Sequence, residues 1–190
     1  MENKIDLDKI MTMAIIGDRH TGKTNLAFSF LKDYVGTKTK VTYAYPVDID
    51  GFINIHSLQQ LSQLTNCIII MDELQKHIKF YEKSSNDTLL EVLSTIAHNQ
   101  NVLIFTTPLS QFITKALDGF IDVFAYTEMK DLGTLKNGSK AKRYLQNNSF
   151  QQINKWSLNL KIGEALVISD SIKEFMKFED QEIGKDWMSL

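Results

Sequence analysis

Short, unbroken apolar runs alternate with stretches whose apolar positions fall at helical spacing. Thr12–Ile16 is an apolar run closed by Gly17, and it predicts a buried strand. In Thr24–Tyr34, Ala27, Phe30, Leu31 and Tyr34 recur at i, i+3, i+4 and i+7, as one face of a helix does. Lys40–Tyr45 predicts a second strand, closed by Pro46 and the turn-prone Asp48–Gly51. Leu58, Leu61 and Leu64 suggest a short helix before the continuous strand Cys67–Met71. Ser85 or Asn86 is placed to cap a helix running to about His98, and Val102–Phe105 is again an unbroken apolar strand. Strands without polar alternation, separated by helices, predict a parallel sheet covered on both faces.

Beyond Pro108 the texture changes. Gln111–Leu117 is helix-like and Ile121–Met129 strand-like. Lys136-Asn137-Gly138-Ser139 predicts a hairpin turn between strand-like arms. Lys155–Leu160, Ala165–Ile168 and Ile172–Phe178 predict further strands. The expected fold class is therefore α/β, a mainly parallel central sheet flanked by helices with a β-rich C-terminal extension. One domain is expected over 1–190, its core about 10–127 and its hairpin and late strands about 128–180, because no linker composition interrupts the chain.

Composition narrows the classes. No apolar run approaches the ~20 residues of a membrane span, and the acidic start lacks the apolar core of a signal peptide. The single cysteine, Cys67, permits no internal disulfide, so a cytoplasmic protein is expected. With net charge −2, a nucleic-acid partner must be held by a local patch. The cations are 19 Lys and 2 Arg, so only Arg19 and Arg143 can supply a guanidinium.

Gly17-Asp18-Arg19-His20-Thr21-Gly22-Lys23-Thr24 fits the phosphate-loop pattern G-x-x-x-x-G-K-[ST], between a predicted strand and a predicted helix. At average residue usage its four fixed positions coincide by chance roughly once in 30,000 starts. The glycines let successive N–H groups curl around phosphate oxygens, and the helix start, with Asn25 next in line, adds its positive end. Lys23 supplies a point charge to the β/γ-phosphates, and Thr24 a hydroxyl to Mg²⁺. ATP and Mg²⁺ are thus the expected cofactors. Ile68–Met71 leads into Asp72 and Glu73, where a second Mg²⁺-directed carboxylate, Asp72, and a water-polarising base, Glu73, belong. A base beside the metal ligand favours hydrolysis over a kinase, which must exclude water. Thr106 and Thr107 end the next strand. If that strand lies between the other two, one hydroxyl can sense the γ-phosphate.

The loop Gly17–Thr24, the strand Ile68–Glu73, and Asn101–Leu117 together resemble the additional-strand, catalytic-glutamate branch of phosphate-loop NTPases. Within it the chain resembles the FtsK–HerA superfamily, in particular its small viral genome-packaging members. Leu160–Val167 is similar to the late Gly-Glu strand turn of HerA-like proteins. The chain departs from that pattern in Thr107-Pro108, where relatives often carry Thr-Gln, and in His98–Asn101, which lacks an arginine. The resemblance implies an ATPase that moves double-stranded DNA, acting as a homo-oligomeric (hexameric) ring, with a capsid or portal partner and location in host cytoplasm or virion. It also implies a cation supplied in trans, from Arg143 or from lysines such as Lys115 or Lys142.

Alternatives are a nucleotide-switched assembly protein and a Zot-like phage-assembly ATPase, although the latter are membrane-anchored. Lys136, Lys140, Lys142 and Arg143 could grip DNA from the predicted hairpin, or could simply be its solvated face. His20 and His77 have no companions at metal-ligand spacing. Trp156, Met176, Trp187 and Met188 are expected to pack.

Overall fold

The computed structural model describes residues 5–32, 34–77, 83–108, 115–132, 135, 139–146 and 157–178. The strands are β1 (Thr12–Ile16), β2 (Thr39–Tyr43), β3 (Phe52–Ile55), β4 (Cys67–Met71), β5 (Val102–Thr107), β6 (Val123–Tyr126), β7 (Glu164–Ile168) and β8 (Lys173–Lys177). The helices are α1 (Lys23–Lys32), α2 (Leu58–Ser62), α3 (Leu74–His77), α4 (Lys83–His98), α5 (Lys115–Phe120) and α6 (Lys140–Gln146). All eight strands form one sheet in the order β3-β2-β4-β5-β1-β6-β7-β8. The six from β3 to β6 are parallel; β7 and β8 add antiparallel.

Burial explains that order. Every residue of β1, β4 and β5 is buried, as strands covered on both faces must be. Alternate side chains supply two cores. Met13, Ile15, Ile68, Ile70 and Ile104 pack with Leu26, Phe30 and Leu31 of α1. Ala14, Ile16, Ile69, Met71, Leu103 and Phe105 face the other way, toward Leu93 and Ile96 of α4 and Leu117 of α5. β5 inserts between β1 and β4, with Thr106 level with Ile15 and Met71 level with Phe105. Parallel pairing then brings the C-terminal ends of β1, β4 and β5 to one edge. At the opposite edge the buried Asn101 accepts from the Cys67 N–H (2.8 Å) and donates to the Leu64 carbonyl (2.8 Å).

Several elements differ from the sequence expectation. β3 was not expected; it is a short, half-exposed edge strand joined to β2 by a loop instead of a helix. Asn54 fixes that loop, accepting from the Thr42 hydroxyl (2.5 Å) and the Val47 N–H (3.1 Å). α4 begins at Lys83, ahead of the expected cap. Of the expected Gln111–Leu117 helix the described part, Lys115–Leu117, is helical within α5, which runs on to Phe120; Gln111–Thr114 lie outside the described residues. β6 is shorter than Ile121–Met129, and the expected Lys155–Leu160 strand contributes a lone antiparallel bridge, Leu158 to Met129.

The main correction concerns the basic segment: Lys140, Lys142 and Arg143 lie on α6, not on a hairpin arm. The Ser139 hydroxyl caps α6 by accepting from the Lys142 N–H (3.1 Å), and the Asp118 carboxylate accepts from the Lys140 N–H (2.6 Å). Ala141 and Leu145 bury the helix's apolar face. Lys136 and the Asn-Gly pair lie outside the described residues, as do Trp156, Trp187 and Met188. No helix among the described residues is long and apolar enough to cross a membrane.

Candidate nucleotide site

Gly17 ends the buried strand β1, and the chain curls through Asp18–Gly22 into α1. His20 and Gly22 take left-handed backbone, φ 61° and 84°; glycine adopts this without strain. The Gly22 carbonyl accepts the Leu26 N–H at 2.9 Å and so opens the helix. The loop is anchored from outside by the segment after β6. The Asp18 N–H donates to the Glu128 carbonyl (2.9 Å), the Asp18 carboxylate accepts from the Lys130 N–H (2.8 Å), and the Thr21 and Thr127 hydroxyls share a hydrogen bond (2.5 Å). A methyl on Gly17 would collide with the Thr127 hydroxyl, so only glycine fits there. Arg19 and His20 are exposed on the outer side of the curl, and Asn25 is half-buried in the first turn of α1.

Lys23 is 8 % exposed, and its ammonium donates to the Asp18 carbonyl at 2.5 Å. Burial holds its pKa below the ordinary lysine value, opposed by the negative charges of Asp72, Glu73 and Asp18. A phosphate group would compensate that buried charge directly.

Three elements meet at Asp72. Its Oδ1 accepts from the Thr24 hydroxyl of α1 (2.9 Å) and the Thr106 hydroxyl of β5 (2.7 Å). Thr106 Oγ1 in turn accepts from the Glu73 N–H at 2.8 Å. Glu73 has φ 50°, an uncommon conformation for a residue with a side chain, and its carboxylate pairs with Lys76. His77, edge-on to Tyr43 (5.3 Å), lies 3.0 Å from the Asp72 carbonyl through Nε2. Thr107 is buried one register step on, level with Ile16. Of the two threonines, it is Thr106 that touches the acids.

Mg²⁺ takes oxygen ligands and keeps several waters, and Thr24 Oγ1 with Asp72 Oδ1 is a donor set of that kind. Among the described residues no three His, Cys, Asp or Glu side chains converge as a metal cage, so this pair would need phosphate oxygens and water to complete a shell.

Sequence reasoning missed the anchoring residues Thr127, Glu128 and Lys130, which contact the loop from more than a hundred positions away. It also missed Tyr45. β2 brings this residue to the same edge, where its ring packs against Phe28 (6.3 Å) and burial pushes its phenol up, with Asp72 and Glu73 adding to the effect. The basic residues of α6 are placed by α5 and β6. The Lys140 ammonium donates to the Ile121 carbonyl (2.8 Å), the Tyr126 hydroxyl donates to the Ala141 carbonyl (2.9 Å), and Arg143 is exposed. Lys115 is the first described residue of α5.

No protein-family model matches the chain, and no curated protein matches it by sequence. Solved structures do match. The DNA-packaging ATPase B204 of Sulfolobus turreted icosahedral virus superposes with a TM-score of 0.62 at 12 % identity, over 93 % of this chain and 100 % of B204. The genome-packaging NTPase B204 of Sulfolobus turreted icosahedral virus 2, in complex with AMPPCP, gives 0.63 at 13 % identity over the same shares. The cytoplasmic domain of the type VII secretion ATPase EccC from Thermomonospora curvata gives 0.56 at 11 % identity, over 94 % of this chain but 24 % of that one. At such identities the likeness is one of fold: the chain has the α/β fold that these P-loop ATPases share.

Proposed function

We propose that the chain is a Mg²⁺-dependent ATPase that couples hydrolysis to the movement of double-stranded DNA, as a viral genome-packaging motor. The observation that carries this reading is the junction at Asp72, where one carboxylate oxygen joins the phosphate-loop helix, the inserted strand and the turn bearing Glu73. Lys23 neutralises the β/γ-phosphates, and the loop N–H groups of Gly17–Thr24 orient them. Thr24 and Asp72 would hold Mg²⁺, which when bound supplies charge stabilisation on the phosphates. Glu73 accepts a proton from the attacking water. Thr106 keeps Asp72 and Glu73 in fixed relation, so the sensor role passes through a hydroxyl that contacts both.

One continuous sheet from Thr12 to Lys177 supports a single ATPase domain. Activity in this reading belongs to a homo-oligomeric ring, with exposed Arg143 acting on a neighbour's nucleotide, or on DNA, and with a capsid or portal partner in the host cytoplasm or virion. The fold likeness to B204, a DNA-packaging ATPase, supports the packaging reading.

Phosphate release with and without double-stranded DNA tests the proposal, with Glu73→Gln as the inactive control. DNA-stimulated turnover that disappears in Glu73→Gln is expected. Slow turnover indifferent to DNA would favour a nucleotide-switched assembly protein instead.

A further inference from the structure

The antiparallel pair β7–β8 lies at the far side of the sheet, yet it returns the chain to the phosphate loop. β7 runs against β6, and β8 against β7, so β8 ends at the same edge as β1. The next residue, Phe178, is buried in the apolar cluster that contains Leu26 and Ala27 of α1. Its backbone is fixed on the turn before β7: the Phe178 N–H donates to the Gly163 carbonyl at 2.8 Å. Gly163 has φ +87°, and a methyl there would lie 3.0 Å from the Phe178 carbonyl oxygen, so glycine permits the close approach. Glu164 reinforces the turn by accepting from the Lys161 N–H (3.1 Å) and facing Lys177 (3.9 Å).

So held, the ring lies edge-on against the loop. A methyl on Gly22 would sit 3.1 and 3.2 Å from Phe178 Cζ and Cε2. Gly22 precedes Lys23 and carries the left-handed φ that turns the curl into α1. Lys130 anchors the other end of the loop at Asp18, and Thr127 holds Thr21 beside Gly22.

We propose that Phe178 is a positioning residue for nucleotide binding, its ring buttressing Gly22 so that the phosphate loop keeps its binding curve. The proposal rests on the phosphate-site reading above. It gives the Gly163–Glu164 turn and the C-terminal strand pair a part in the site, although neither needs to touch the nucleotide.

The test measures affinity for ADP and for a non-hydrolysable ATP analogue by calorimetry, below each variant's melting temperature. Phe178→Tyr is the informative substitution. It keeps the buried ring but adds an oxygen at Cζ, which lies 3.1 Å from where a methyl on Gly22 would sit. Phe178→Ala removes the buttress, and Phe178→Leu restores part of it. Tyr and Ala variants should each bind about ten-fold or more weakly, with Leu between them and the parent. In turnover the change should fall on KM, with kcat at saturation within about two-fold.

Ile172→Ala, in the same apolar cluster, is the control: it should lower the melting temperature and leave affinity intact. Parent-like binding by Phe178→Tyr overturns the proposal, and so does an equal loss in Ile172→Ala. Unchanged binding in Lys23→Ala would instead overturn the phosphate-site reading. Loss in Lys23→Ala with none in the Phe178 variants removes the buttress alone.

Discussion

Thr106→Val replaces a buried hydroxyl with a methyl of nearly the same size, so it isolates the polar contribution of the junction. Two hydrogen bonds are lost, the donation to Asp72 Oδ1 (2.7 Å) and the acceptance from the Glu73 N–H (2.8 Å). A bond to a charged acceptor is worth about 1.5–3 kcal/mol, and a neutral one about 0.5–1.5 kcal/mol. Asp72 keeps the Thr24 hydroxyl and is only half-buried, so water replaces part of the loss. The expected cost is therefore near the lower bound, about 2 kcal/mol, or roughly 4–8 °C in melting temperature for a chain of this size. Glu73 sits at φ 50°, and its N–H would lose the acceptor that steadies that turn. The carboxylate should then wander, lowering kcat at least about ten-fold with nucleotide affinity little changed. Thr106→Ser, which keeps the hydroxyl, should recover most of both. The assays are urea or thermal unfolding, steady-state phosphate release, and calorimetric binding of a non-hydrolysable analogue. Melting within about 1 °C of the parent, together with normal turnover, would refute the claim that Thr106 holds the acids.

Lys23→Ala should abolish the thermal stabilisation given by Mg-ATP, measured by scanning fluorimetry, because the buried ammonium is the loop's only lysine. Lys23 also sets a pH trend. Its folded pKa lies below the ordinary 10.5, so the unfolded chain binds more protons in the window between the two values. Parent stability relative to Lys23→Met should consequently rise with pH across that window and level off above 10.5, as denaturant midpoints would record. Mixing Lys23→Ala with Arg143→Ala subunits should restore turnover if Arg143 acts in trans; normal hydrolysis by Arg143→Ala alone at saturating protein and DNA would end that assignment.

The central strands were legible because each is an uninterrupted apolar run bounded by glycine, asparagine or acid, and parallel burial leaves little choice of residue. β3 was not, since Phe-Ile-Asn-Ile on an edge carries neither full burial nor clean alternation. α6 was misread because Asn-Gly is a strong local turn signal, while the competing signals, Ser139 as cap and Ala141 with Leu145 at helical spacing, gain force only once Asp118 is known to be near. At the site, the loop, Asp72 and Glu73 were readable from local pattern. The choice of Thr106 over Thr107 was not, because it depends on which way β5 faces after it enters the sheet. Thr127 and Phe178 were invisible for the same reason: their partners are fixed by topology, not by spacing.

The placement of β1 constrains the order in which the fold can assemble. Its two neighbours are β5 and β6, which begin about 90 and 110 residues later in the chain. During synthesis β2, β3 and β4 can pair among themselves over a short stretch, whereas β1 must wait, apolar on both faces, until β5 has been made. Long loop closure of this kind slows folding and leaves a sticky segment exposed. The phosphate loop at the end of β1 therefore acquires its curve late, when the strands that flank it and the Thr127 anchor arrive together. Emergence of nucleotide-binding competence in a nascent chain should accordingly coincide with completion of the sheet's centre, long after the loop's own residues have left the ribosome.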